Sequence, residues 1–582
     1  MLPMPTEKQR NNNEFQGGMM LFGRVESFDD IMLRLGFLTP SQAVVVRKEQ
    51  EAIGGKFGDI ALRLGFISEK QLAAVSSIQG GVEYYDLRNE GFDCDMARLL
   101  PAKEAQRHRA LVIRCDKDRK CLVGMTEPDN LPLRDNIARI LRRYSLRFVG
   151  IEYSAMVFAH ARVYPELNFR DQVLSAADEI LKEGVANHFA SKALVPKLVS
   201  AMIWDSMSAG ASDIHLVSSG DIFRVFYRIS GKLTYRFAFG LNLYATVAAQ
   251  IKQSAGIEPG DRLHFADGNM TFDTGNRVVN IRVSKLPTIP AQEGESLVLR
   301  ILDRNRVALD LAALGFSERD AERLRAVCQK PYGMILCTGP TGSGKTTTLY
   351  SMLGTRSAFE ANILTAENPV EYQIPGIRQV QINERAGITF ASALRNFLRQ
   401  DPDIILVGEI RDMETSQIAC HAAITGHLLF STLHTNDAVG AIPRLLEFGI
   451  DPNSLRSSLV CVIAQRLVRK LCRSCSFMRD IRPSERLIFE AAGIEPPDRV
   501  PAHNREGCPM CSGGFTSPTI IYEILILNDE LREMIGARTT LKQLRDAAVA
   551  QGMTPIHQNG LNKVLQGITT IDEVVAVAGG NQ

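Results

Sequence analysis

The sequence predicts a multidomain α/β protein in which a parallel-sheet unit follows an α+β unit and a helical unit. Three observations predict it. At 582 residues the chain is too long for one hydrophobic core. An apolar run, Met334 to Cys337, breaks into a glycine-rich loop and then a helix-compatible stretch, the strand–loop–helix order of a nucleotide-binding α/β unit. Near the N-terminus a helical repeat gives way to short apolar segments alternating with helical patterns.

Composition narrows the class further. Lys and Arg total 67 against 65 for Asp and Glu, a balance that argues against a protein built to coat nucleic acid. No apolar run approaches the roughly 18 residues of a membrane-spanning helix, and residues 1–24 read as a polar leader without the apolar core of a secretory signal. A cytoplasmic location is expected. Of the eleven cysteines, Cys94, Cys115, Cys121, Cys328, Cys337, Cys420 and Cys461 are scattered through apolar or mixed sequence. They are expected to be small buried hydrophobes in a reducing compartment.

Taken in order, residues 25–82 carry the repeat: Phe28-Asp-Asp-Ile-Met-Leu-Arg-Leu-Gly36 recurs as Phe57-Gly-Asp-Ile-Ala-Leu-Arg-Leu-Gly65. Each copy reads helix, glycine stop, a Thr39 or Ser68 N-cap, then a second helix. Residues 83–163 predict a compact α/β unit, with strands at Ala110–Ile113 and Cys121–Met125 and a helix over Asn136–Tyr144. Polar residues 164–190 are expected to be a linker. Residues 191–305 predict an α+β unit with an antiparallel sheet, its strands near Ile222–Ile229, Lys232–Phe237, Val278–Val283 and Ser296–Ile301. The remainder, 306–582, carries the nucleotide chemistry.

There the pattern G-x-x-x-x-G-K-[ST] is filled by Gly339-Pro340-Thr341-Gly342-Ser343-Gly344-Lys345-Thr346, followed by Thr347. Glycines turn backbone N–H groups toward a phosphate, and the helix N-terminus adds its positive dipole end. Lys345 reaches the β- and γ-phosphates, while the Thr346 hydroxyl suits a Mg²⁺ ion. Two further apolar strands end in acids: Ile363 to Glu367 and on to Glu371, and Asp403 to Val407 running into Glu409. On one sheet edge, one acid can serve the Mg²⁺ shell and the other can orient or deprotonate water. The stretch Thr425-Gly-His427 to His434-Thr-Asn-Asp437 reads as a strand with a histidine at each end, His434 being the better catalytic candidate. Cys472-Arg-Ser-Cys475 and Cys508-Pro-Met-Cys511 form two knuckles that suit a closed structural Zn²⁺ site; a redox pair or free thiols are the alternatives.

These motifs together resemble the hexameric secretion ATPases of type II secretion and type IV pilus assembly. The phosphate loop carries the likeness, with the box at Glu367, Leu398-Arg-Gln-Asp-Pro-Asp403 leading to Val407-Gly-Glu409-Ile-Arg-Asp412, the box from Thr425 to Asp437, and Gln465-Arg-Leu467. The resemblance implies a RecA-like C-terminal domain, a PAS-like second N-terminal domain at 191–305, and a first N-terminal domain before it. It implies ATP and Mg²⁺, with Glu367 as general base, Glu409 in the Mg²⁺ shell, His434 at the γ-phosphate and Arg282 neutralising phosphate charge. Asn368 stands where the family has aspartate. Asn269 follows Asp267-Gly268 where an arginine is usual, with Arg277 as a substitute.

The tetracysteine insertion, a subdomain at 470–515, is similar to that of the extension-type members. A homohexamer on the inner face of the bacterial inner membrane, driving a membrane platform protein that adds pilin-like subunits, is what the likeness implies. The repeat is similar to a helical module that binds cyclic di-GMP in some relatives. The corresponding residues here are Ser27-Phe28-Asp29 and Lys56-Phe57-Gly58, and Asp29 is an acid where a phosphate ligand would expect glycine, which favours a docking module. Two other classes carry the same core: a nucleic-acid translocase, with which the charge balance disagrees, and a nucleotide-binding ring scaffold with little turnover. DNA-stimulated hydrolysis would mark the first, and absence of phosphate release the second.

Overall fold

The computed structural model describes residues 27–164, 167–183, 188–219, 221–229, 231–274, 278–288, 294–302, 310–356, 360–371, 373–374, 376–508, 511, 513–536 and 539–578. The repeat forms helices Phe28–Arg34, Pro40–Ile53, Phe57–Arg63 and Glu69–Gln79. Thr39 with Gln42, and Ser68 with Gln71, close reciprocal capping boxes, satisfying amides that otherwise have no helical partner. Gly36 and Gly65 take the left-handed stop at φ 68° and 74°, where a side chain costs about 1–2 kcal/mol.

Four strands follow: β1 (Glu83–Tyr84), β2 (Ala110–Cys115), β3 (Lys120–Met125) and β4 (Ser145–Gly150), in the order β1-β4-β3-β2. The helix expected over Asn136–Tyr144 runs Leu131–Ile140, started by the Asn130 cap. Two cysteine expectations are corrected. Cys115 and Cys121 are not separate buried thiols: the β2–β3 register sets them opposite each other, and a disulfide joins them. Cys94 is only half-buried, whereas Cys328, Cys337, Cys420 and Cys461 are buried.

The expected linker at 164–190 is also corrected, because it contains the helix Phe169–Glu183. Val173, Ala176, Ala177 and Ile180, at helical spacing, bury into the core of the next unit. Phe169 stacks on Trp204 at 5.2 Å. That unit is a sheet of β5 (Ala211–Ser219), β6 (Ile222–Ile229), β7 (Lys232–Gly240), β8 (Ala266–Asp273), β9 (Val278–Thr288) and β10 (Gly294–Leu302). Its order is β7-β6-β5-β10-β9-β8, antiparallel throughout. Ile214, Tyr227, Ile281 and Leu299 bury one face. Strand alternation sends their neighbours to the other. There, register lines up Asn269, Arg282, Arg300, Asp213 and Arg228 across adjacent strands.

The last unit is built on β11 (Gly333–Thr338), β12 (Ile363–Glu367), β13 (Arg378–Gln381), β14 (Ile404–Val407), β15 (Leu428–Leu433) and β16 (Leu459–Leu471). The two-stranded ribbon β17 (Phe477–Asp480) and β18 (Arg499–Ala502) follows, then β19 (Phe515–Ile526). Sheet order is β13-β12-β14-β15-β11-β16-β19. Pairing is parallel except between β16 and β19. Every residue of β11, β14 and β15 is buried, as expected of parallel strands covered on both faces. Their C-terminal ends therefore place Gly339, Glu409 and His434 along one edge, where ligands of open α/β sheets bind.

Candidate nucleotide site and a cysteine cluster

The phosphate loop leaves β11 at Thr338 and enters the helix Lys345–Leu353. Gly339, Gly342 and Gly344 sit at φ 144°, 79° and 87°. A Cβ on Gly339 would lie 2.5 Å from the Gln465 carbonyl oxygen, and one on Gly344 would lie 3.2 Å from Gln465 Nε2. Lys345 Nζ donates to the Gly339 carbonyl at 2.7 Å and the Pro340 carbonyl at 3.2 Å. Burial lowers its pKa, while Glu409 lies within electrostatic reach and opposes that shift. Ser343 Oγ is buried with no hydrogen-bond partner among the described residues, a polar atom that a phosphate oxygen would satisfy. Thr346 and Thr347 occupy the first turn behind Lys345.

Gln465 was legible only as part of a family signature, and the structure gives it a physical role. Fully buried on β16, it donates from Nε2 to the Ser343 carbonyl at 2.7 Å. Its Oε1 accepts from the Thr348 hydroxyl at 2.8 Å and the Cys337 thiol at 3.4 Å. One side chain thus ties the loop, its helix and its strand together. Arg466 adds bonds to the Gln465 carbonyl at 2.9 Å and the Asn436 carbonyl at 2.8 Å.

Among the predicted acids, Glu409 joins Lys345 and His434. Its carboxylate forms an ion pair with Arg411 Nε at 2.7 Å and faces His434 Nε2 at 3.5 Å. Nearby Asp412 is an N-cap, accepting from the Thr415 amide at 2.7 Å. Glu367 stands in a separate network, buried, accepting from the hydroxyls of Tyr350 and Thr365 and from Gln379 Nε2. These donors fill three of its roughly four acceptor sites and fix the carboxylate's orientation.

Arg282 is half-exposed, 3.8 Å from Asp267, with Asn269 beside it in register. Arg277 lies outside the described residues. Glu371, its pKa raised by burial, lies within electrostatic reach of Arg300 and Arg282. The polar face of the α+β sheet therefore meets the acid-bearing edge of the parallel sheet.

The predicted cysteines converge: Cys472 and Cys508 sulfurs are 3.6 Å apart, as are those of Cys475 and Cys511. All four sulfurs lie within 4.8 Å of one another. Zn–S bonds of about 2.3 Å in a tetrahedron separate the sulfurs by about 3.8 Å, so the cluster fits the ion. A cavity of about 330 Å³ between the helical repeat and the four-stranded unit is lined by Phe28, Lys56, Arg109, Glu127 and Tyr153, among others. Both of those cations pair with Glu127, at 2.7 and 3.3 Å.

A family model described as type II/IV secretion system protein matches residues 188–576, and one described as MshEN domain matches residues 80–167. The type IV pilus assembly ATPase PilB of Myxococcus xanthus is 36% identical over 564 residues, spanning 94% of this chain and 98% of its own. Type II secretion system protein E of Pectobacterium carotovorum is 43% identical over 386 residues, 66% of this chain and 75% of that protein. Type II secretion system ATPase E of Vibrio cholerae is 40% identical over 408 residues, 70% and 80% of the two chains.

Proposed function

The chain belongs to the type II/IV secretion system protein family, and from that premise we propose that it hydrolyses ATP to drive pilin or pseudopilin assembly. The observation that carries this reading is that Glu409 lies within electrostatic reach of Lys345, at the start of the helix that follows the phosphate loop. Loop amides and Lys345 bind the β- and γ-phosphates. Thr346 and Glu409 would hold Mg²⁺, which when bound neutralises charge between the phosphates. His434, against Glu409, contacts the γ-phosphate side. Glu367, oriented by three donors, takes a proton from the attacking water through its remaining acceptor position. Arg282 offsets the charge that grows on the phosphoryl oxygens.

The working form we propose is a homohexamer on the cytoplasmic face of the inner membrane, reached through a platform protein. Among the described residues no helix is long and apolar enough to cross a membrane, which agrees with docking through a partner. Closing of the α+β unit over the ATPase unit supplies the movement. Cys472, Cys475, Cys508 and Cys511 would hold a structural zinc ion that ties the β17–β18 ribbon region together. In the N-terminal cavity, Lys56 and Arg109 are already paired with Glu127, so this reading makes the repeat a protein-docking module and not a cyclic di-GMP receptor.

Phosphate release from Mg-ATP by purified protein, with native mass measurement of the ring, tests the proposal. Wild type turns over as a hexamer, and Lys345→Ala loses nucleotide binding. A wild-type protein that leaves ATP intact, or turnover stimulated by DNA and not by a platform-protein fragment, overturns it.

A further inference from the structure

The first cysteine knuckle faces the first N-terminal unit. Gly91, which ends the short helix Leu87–Glu90, looks at Ser474: a Cβ built there would lie 3.9 Å from Ser474 Oγ. Lys470, on the β16 approach to the knuckle, lies within electrostatic reach of Asp86 and Lys70. Arg162, in the last turn of the helix Tyr153–Val163, is partly buried and lies within electrostatic reach of the sulfurs of Cys508, Cys511, Cys94 and Cys472. Its guanidinium is held 4.1 Å over the Phe158 ring, which fixes the plane of the cation. Residues far apart in sequence thus converge on one small face, and that face contains the metal-ligand cluster.

We propose that the metal-loaded knuckle is an intramolecular docking post that holds the first N-terminal unit against the ATPase unit, with Arg162 as its counter-charge. The proposal rests on the zinc reading above. One Zn²⁺ with four cysteine thiolates carries a net charge of about −2. A partly buried charge of that size needs a partner, and the Arg162 guanidinium supplies one. When a chelator takes the Zn²⁺, nothing holds Cys472, Cys475, Cys508 and Cys511 in one arrangement, so the knuckle loses the shape in which Ser474 meets Gly91 and the contact loosens. Metal binding and docking are therefore linked, and linkage works both ways: weakening the dock must weaken zinc retention.

The test uses the full-length protein, with zinc content measured first by atomic emission. Zinc release to the chromogenic chelator 4-(2-pyridylazo)resorcinol is then followed for wild type, Arg162→Glu and Arg162→Lys. Hydrogen exchange of residues 86–98 and 153–163 is compared before and after chelation. Arg162→Glu is expected to release zinc at least about tenfold faster, because a like charge then faces the metal-bound thiolates in place of an opposite one. Arg162→Lys keeps the charge without the planar fork and should fall between the two. Chelation of wild type should raise exchange in 86–98 and 153–163 while β2 and β3 stay protected, which separates undocking from unfolding. Unchanged release in Arg162→Glu, or unchanged exchange after zinc is removed, overturns the dock while leaving the zinc site standing. Absence of zinc from purified wild type overturns both.

Discussion

Replacing Gln465 by leucine is the sharpest probe of how the phosphate loop is held. The substitution nearly preserves volume, so it opens little cavity, but it removes the donor to the Ser343 carbonyl and the acceptor of the Thr348 hydroxyl. Both groups then sit next to a methyl where water has no room, since Gln465 is fully buried. An unsatisfied buried polar group costs about 1–3 kcal/mol, so the pair costs about 2–6 kcal/mol. Ser343 lies inside the loop, so part of that cost falls on the phosphate-binding conformation. If a third to a half does, affinity for ATP drops by about threefold to about 150-fold. Titration with a fluorescent ATP analogue reads the affinity, and thermal melting reads the remainder as a lowered Tm. Thr348→Val removes one partner only and should give the smaller share of both effects. A Gln465→Leu protein with wild-type affinity and an unchanged Tm refutes the claim that this side chain braces the loop.

Three other outcomes follow from the same geometry. Glu367→Gln should keep the fold, because Tyr350 and Thr365 can turn their hydroxyls to accept from the new amide. It should bind ATP and hydrolyse it about 10²–10³ more slowly; normal phosphate release removes Glu367 from the chemistry. Cys472→Ser should halve no rate directly but lose zinc and expose β17 and β18 to protease, as a structural site requires; zinc retained at wild-type stoichiometry contradicts the ligand set. Asp213 gives a pH signature. Burial works against its charge, but bonds from Arg300 Nε at 2.8 Å and Ser212 Oγ at 2.7 Å outweigh burial and hold its pKa below the ordinary 3.8. Its stabilising contribution is therefore complete above that value and lost as pH falls through the lower folded value. Urea melts between about pH 5 and pH 2.5 should show a steeper loss for wild type than for Asp213→Asn.

Local signals told the truth wherever the chemistry is local. The phosphate loop, the capping residues Thr39 and Ser68, and the apolar runs of β11 and β14 are each specified by neighbours within a few positions. The failures share one cause. Phe169–Glu183 looks like a linker because its exposed face is polar, and only the sheet beneath it reveals that Val173, Ala176 and Ile180 point inward. Cys115 and Cys121 look like scattered thiols until the β2–β3 register sets them face to face. Gln465, far along the chain from Ser343, has no local mark of its task.

By itself the sequence determined the nucleotide chemistry and the order of the units, because glycine φ freedom, cap residues and apolar periodicity act over one or two turns of chain. The tertiary structure alone decided how Glu367 is oriented, and that Arg282, Arg300 and Asp213 share one row. It also decided that Arg162 faces the cysteine cluster. Those facts depend on which strands pair and in what register, and pairing is settled by burial summed over the whole core, not by any short stretch.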